Sequence, residues 1–350
     1  MCTNPNPRPQ SREVEILMDG DPNDIYGYLS ESGSRFVGID VVELPYCIEF
    51  ENSPEIANAS ANYIKIENKL NPEIFDLDSF NPLTVTFGKY KIAINGEHDF
   101  VGTVDMRPSI NAIAEVSLKF NSKTGEMVCI IKSLDPLTLE HTKDYMQGVL
   151  PVNNNNNEGV GTINYKIALK NNVHDETVVE NFAKITFGSH EPIYTPKWKN
   201  ITDYIRPISL VSKCEVASIG ELNIYFDGFD TGSGIWKYNL YCSTDSCETW
   251  ECIAENILEN KLTIDVKEDL CYHFACLCVD YVGNKETKTL TSDISYFNGE
   301  ITTNISEFPF GTSYYQNSKM KIYNLSGQRI RKVLEPGIYI CDGKKVYIRK

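Results

Sequence analysis

Apolar and polar residues alternate along most of the chain, and that period of two constrains the fold more than any other feature. Ile64 and Ile66 alternate with Lys65 and Glu67, and Leu83, Val85 and Phe87 with Thr84 and Thr86. Tyr90, Ile92 and Ile94 follow after Gly88. Val116, Leu118 and Phe120 alternate with Ser117 and Lys119, and Ile163, Tyr165, Ile167 and Leu169 with Asn164, Lys166 and Ala168. Successive side chains of a strand point to opposite faces, so each run buries one face and wets the other. No segment carries the 3.6-residue stripe of a long amphipathic helix. The pattern predicts an all-β chain of antiparallel sheets packed as sandwiches. The 20 Tyr and 15 Phe fit that reading, because aromatic side chains suit a pleated, half-buried surface.

Turn-forming residues divide the chain into units. The polar run Asn153 to Asn157 reads as an exposed loop. A first set of strands ends near Arg206-Pro207, and a second begins with Leu222, Ile224 and Phe226. The turn from Asp227 to Gly234 leads into Trp236, Tyr238, Leu240 and Cys242. Leu262, Ile264 and Val266 form a further strand, and Tyr272 to Asp280 another, closed by Val282-Gly283-Asn284. A last β segment runs through Ile322-Tyr323 and ends in Lys344 to Lys350. The 350 residues suffice for two or three domains.

The formal net charge of −15 excludes an ordinary nucleic-acid binder, which needs a basic face for phosphates. The charge is uneven. From Ser318 onward nine Lys/Arg stand against two acids, a local +7, which leaves −22 for the rest. A basic tail on an acidic body implies a separate task for the tail. No stretch reaches the roughly 18 apolar residues of a membrane-spanning helix. The beginning, Met1-Cys2-Thr3-Asn4-Pro5-Asn6-Pro7, lacks the charged and apolar regions of a signal peptide.

Three segments resemble known modules. Residues 21–205 resemble a β-sandwich module of large bacterial secreted proteins, through Asp21-Pro22-Asn23-Asp24-Ile25-Tyr26-Gly27, Leu44-Pro45-Tyr46-Cys47-Ile48-Glu49-Phe50, Ser133-Leu134-Asp135-Pro136 and Glu191-Pro192-Ile193-Tyr194-Thr195-Pro196. Cys129 stands where relatives often place Trp. Residues 206–298 resemble a fibronectin type III or immunoglobulin-like domain. The resemblance is carried by Tyr272-x-Phe274-x-Cys276-x-Cys278-x-Asp280-x-x-Gly283-Asn284 and by Ser233-Gly234-Ile235. Residues 318–350 resemble the C-terminal sorting domain of type IX secretion, an export route of many Bacteroidota. Its pieces are Ile322-Tyr323-Asn324-Leu325-Ser326-Gly327-Gln328-Arg329, Pro336-Gly337-Ile338-Tyr339-Ile340 and Gly343-Lys344-Lys345-Val346-Tyr347-Ile348. Residues 1–20 and 299–317 are left as linkers.

These resemblances imply a non-catalytic stalk or adhesion-type region of a secreted or cell-surface protein, exported through the outer-membrane type IX machinery, with its signal peptide upstream. The sorting residues are Gly327, Gly337, Tyr339, Lys344 and Lys345, the two glycines as turn residues and the lysines as charge. A second reading is an accessory or carbohydrate-binding module of a secreted hydrolase with its catalytic domain upstream. Whether a surface glycan or a protein is the ligand stays open.

Candidate chemistry is sparse. His98, His141, His174, His190 and His273 show no metal-ligand spacing and no patterned nucleophile, and no phosphate-binding loop is present. Neither a catalytic residue nor a cofactor is expected. Asp19, Asp21 and Asp24, and separately Asp227 and Asp230, weigh calcium against ordinary Asp-capped turns, and the spacing favours turns. The eleven cysteines are odd in number. Cys242, Cys247 and Cys252 with Cys276 and Cys278 lack zinc spacing and read as small core hydrophobes. Cys242 and Cys247 flank the turn Ser243 to Ser246, and a tight hairpin there would set them up for a disulfide. Trp236 alternates with Tyr238 and Leu240 and is expected in the core, with Trp250 the more exposed tryptophan.

Overall fold

The computed structural model describes residues 23–142, 144–303, 306–307, 322–324, 327–330, 337–341 and 344–348. The chain is all-β, as the alternation predicts, with a single short 3₁₀ turn at Tyr145–Gln147 among the described residues.

Two large sheets form the first sandwich. One orders its strands Asp24–Tyr26, Leu44–Glu51, Val160–Leu169, Phe75–Phe87, Tyr90–Ala93. The other runs Ile193–Tyr194, Ala183–Phe187, Tyr63–Lys69, Glu126–Leu134, Ile113–Asn121, Asp99–Asp105. The predicted inward residues are inward: Ile64, Ile66, Val85, Phe87, Val116, Leu118, Ile163, Tyr165 and Ile167 are all buried. Burying each large apolar side chain contributes about 1.5–3 kcal/mol. Aromatic rings fill the middle, with Tyr46 stacked on Tyr165 at 5.4 Å and Phe80 on Phe120 at 3.9 Å. The hydroxyl of Tyr165 is satisfied locally. Tyr165 Oη donates to Asn68 Oδ1 and accepts from Asn181 Nδ2. Cys129 is fully buried in the same core, as a small apolar side chain would be.

A third, small sheet carries the chain toward the second unit. In it Trp198–Asp203 pairs antiparallel with Val178–Asn181 and parallel with Phe36–Gly38. Only Tyr204 to Pro207 separate Asp203 from the next strand.

The second sandwich has the layout of a fibronectin type III or immunoglobulin-like domain. Three strands, Ile208–Ser218, Glu221–Phe229 and Lys261–Asp265, form one sheet. Glu251–Ile257, Ile235–Ser243, Tyr272–Asp280, Ile294–Phe297 and Glu300–Thr303 form the other. Between them lie Val211, Leu222, Ile224, Phe226, Leu240, Phe274 and Ile294, together with Cys214, Cys242, Cys276 and Cys278. Burial pushes the Cys276 thiol up to about 12, so it behaves as a hydrophobe.

Three expectations about the two sandwiches and the segment after them are corrected, and a fourth in the tail. Residues 300–303, expected in a linker, pair with Ile294–Phe297, and Ser306–Glu307 pairs parallel with Val346–Tyr347. Strand pairing therefore continues on both sides of residues 304–305. Trp236 is half-buried and stacks on Tyr281 at 6.4 Å rather than in the core, because a register shift between Ile235 and Lys237 interrupts the alternation. Cys242 does not face Cys247. The strand register sets Cys242 opposite Glu251, since the connection is longer than a tight hairpin, and both thiols are free.

The tail forms its own sheet in the order Ser306–Glu307, Lys344–Ile348, Gly337–Cys341, Ile322–Tyr323, Arg329–Ile330. Gly327 occupies the expected turn, at φ +77°, with its N–H bonded to the Asn324 carbonyl. Gly337 does not. It begins a strand and pairs with Ile348. Tyr339 pairs with Val346, Lys345 with Ile340 and Lys344 with Cys341.

Candidate functional site

A dense polar arrangement lies where the two sandwiches meet. It is built by the turn after Tyr272–Asp280. Asp280 Oδ1 accepts the N–H groups of Val282 at 3.0 Å and Asn284 at 2.8 Å, a turn capped by its own Asp. Gly283 supplies the positive φ, +92°, that the turn needs. Asn284 is thereby aimed at the first sandwich. Its Oδ1 accepts from the Ile39 N–H at 3.0 Å, and its Nδ2 donates to the Asp203 carbonyl at 2.8 Å and to Asp280 Oδ2 at 2.8 Å.

The contact continues on both sides. Ser30 Oγ and Ser32 Oγ donate to the Tyr281 carbonyl at 2.9 and 2.6 Å. Arg206 Nη1 donates to the Lys285 carbonyl at 2.9 Å. A Cβ on Gly38 would stand 3.0 Å from Asn284 Oδ1 and 3.1 Å from the Val282 carbonyl, so the approach admits no larger residue without a shift. Asn284 is 1% exposed, so each of its bonds is made away from water, where an unmade one costs most.

Beside Asn284 three carboxylates converge. Asp203 ends the last strand of the first sandwich, Asp230 lies in the turn after Glu221–Phe229, and Asp280 ends its strand. One oxygen from each falls within 4.8 Å of the other two. Asp203 and Asp280 are fully buried and Asp230 is half-buried. Backbone N–H groups hold one side of each. Asp203 Oδ2 accepts from Ser233 at 2.7 Å, and Asp230 Oδ2 from Gly232 at 3.1 Å and Gly234 at 2.7 Å. The other oxygens, Asp203 Oδ1 and Asp230 Oδ1, have no hydrogen-bond partner, and neither does the buried Ser233 Oγ. None of the three acids has an ion pair among the described residues. Burial, with Asp203 alongside, pushes Asp280 up to about 6 and raises Asp230 from the usual carboxylate range. Like charges so placed are unfavourable unless a proton or a cation joins them. The donor set is oxygen only, which suits a hard cation.

The sequence reads Asp227 and Asp230 as turn residues, and Asp230 does cap its own turn through the Gly232 and Gly234 N–H groups. Asp227 accepts from its neighbour Gly228 N–H on the strand, while Asp230 is joined by Asp203 and Asp280. Asp24 accepts from the adjacent Ile25 N–H, and Asp19 and Asp21 lie outside the described residues. In the sequence Asp280 and Asn284 mark only the fold. No local signal points to Asp203. No histidine joins the group, and among the described residues no other cluster of three potential metal ligands occurs. The buried cysteines of the second sandwich remain dispersed in its core.

Residues 111–201 match a family described as a domain of unknown function, DUF7619. They fall within the first sandwich and cover about a quarter of the chain. No curated protein matches it. Among solved structures, the C-terminal domain of the antigen I/II-family protein AspA of Streptococcus pyogenes aligns at TM-score 0.34 and 9% identity, over 76% of this chain and 98% of that one. The corresponding domain of BspA of Streptococcus agalactiae aligns at 0.33 and 11%, over 80% and 97%. A collagen-binding domain of a Staphylococcus aureus adhesin aligns at 0.29 and 12%, over 53% and 99%.

Proposed function

We propose that this chain is a non-catalytic spacer or adhesion-type region of a secreted or cell-surface protein, and that residues 318–350 address it to the outer-membrane type IX export machinery. The observation that carries the spacer reading is the joint. Two sandwiches are tied by side-chain-to-backbone bonds through a buried Asn284, which holds one relative orientation rather than leaving a free hinge. Gly327 in its turn, Tyr339 in its strand and the adjacent Lys344 and Lys345 support the sorting reading. Deleting residues 318–350 in the producing organism is expected to hold the protein inside the cell envelope, read by surface labelling and fractionation. Normal display of the deletion would sink the sorting assignment. Small-angle scattering of the full chain tests the spacer. A single extended shape is expected, and a broad distribution of inter-domain distances would remove it.

A second reading, glycan binding by an accessory module, has one observation in its favour. Thr249, Trp250, Glu251, Thr263, Asp265 and Tyr272 line a shallow depression on the second sandwich, joining aromatic faces to hydroxyls and carboxylates. Binding on a glycan array, lost in Trp250→Ala, would select this reading; a blank array would set it aside.

A further inference from the structure

We propose that Asp203, Asp230 and Asp280 form a calcium site that clamps the two sandwiches together. Three features support it beyond the acidity. First, the acids come from three separate places in the chain, one in the first sandwich and two in the second, and bring one oxygen each within 4.8 Å. Second, Asp203 is 0% exposed, yet its Oδ1 accepts no hydrogen bond. Asp230 Oδ1 and Ser233 Oγ are left in the same condition. Buried polar atoms are nearly always paired, so unpaired oxygens on two of the three converging acids mark the place of a ligand. Third, the opposite oxygens of Asp203 and Asp230 are held by backbone N–H groups, which fixes the carboxylates with their free oxygens available.

The chemistry selects the ion. Carboxylate oxygens with no nitrogen or sulfur among them exclude a zinc-type set. Calcium takes six to eight oxygens at irregular angles, with water completing the shell, whereas magnesium demands a near-ideal octahedron. Asp203, Asp230 and Asp280 make an irregular set drawn from a strand end, a turn and a second strand end. Sites of this kind in extracellular modules bind with Kd on the order of 0.1–1 mM. Gly232 belongs to the design as well. Its Cα lies so close to Asp203 that a Cβ would stand 2.2 Å from the carboxylate carbon.

The site goes beyond the spacer reading and does not depend on it. The test is calorimetric titration of CaCl2 into the metal-stripped full chain, with a thermal melt in EDTA and in 5 mM CaCl2. Binding in the range above is expected, with a rise in melting midpoint of about 2–6 °C. Asp230→Asn, at the half-buried position, should abolish both the heat and the shift, and Asp203→Asn should do the same. Asp105→Asn, an exposed acid paired with Arg107, should leave both unchanged. Near-UV circular dichroism first establishes that each variant is folded. No heat and no shift in the parent would overturn the proposal, and so would calcium binding undiminished in a folded Asp230→Asn. MgCl2 giving an equal or larger shift than CaCl2 would overturn the assignment to calcium.

Discussion

The two sandwiches solve the same packing problem with different materials. The first closes two broad sheets over Tyr46, Phe50, Phe75, Phe80, Phe87 and Tyr165, with large rings in contact across the middle. The second places cysteines at four core positions and carries Glu286, Asp280 and Asp293 buried beside them. Glu286 accepts from Ser209 N and Oγ and from Cys278 N, and Lys288 sits 3.6 Å from Glu286 and 3.7 Å from Asp293. One core therefore rests on apolar volume, the other on smaller side chains and a satisfied polar network. Losses in the first should scale with volume removed, and losses in the second with hydrogen bonds left unmade.

The hardest test of that contrast is Phe50→Ala. Phe50 is fully buried, and its loss should cost about 3–5 kcal/mol, seen as a large fall in the urea midpoint of the first sandwich. The joint comes next. Asn284→Ala strands the Ile39 N–H and the Asp203 carbonyl together, and about 2–3 kcal/mol should be lost. It should also split one unfolding transition into two, one for each sandwich. If the variant still melts in a single step, the joint does not couple them. In the second core, Glu286→Gln keeps the volume and weakens the bonds Glu286 accepts and its pairing with Lys288, for an expected cost of about 1–2 kcal/mol. An equal cost for Phe50→Ala and Glu286→Gln would erase the distinction between the cores.

The smallest effect is chemical. Burial pushes the Cys129 and Cys276 thiols up to about 12, so at pH 8 both remain protonated and should resist alkylation in the folded protein. The half-buried Cys247 and Cys271 should react first. Intact mass with and without reductant should be the same for the Cys242 and Cys247 region, since the register holds those residues apart.

The alternation of Ile64, Ile66, Val116, Leu118 and Phe120 made the sheets legible, because burying one face of a strand writes its period into the sequence. It failed where a register shift breaks the period, at Trp236, and a glycine read as a turn residue, Gly337, instead opens a strand. The joint was invisible for a different reason. Asn284 and Asp203 are 81 residues apart, and nothing around Asp203 departs from an ordinary strand end. Local chemistry predicts local structure, while a convergence of distant carboxylates exists only once the chain is folded.

The strand Trp198–Asp203 runs directly into the crossing between the sandwiches, flanked by Val178–Asn181 on one side and Phe36–Gly38 on the other. A pull along the chain axis at Asp203 would load those lateral hydrogen bonds in shear, many at once, instead of peeling them one by one. Force reaching the first sandwich through this strand is therefore shared among its pairings with both neighbours.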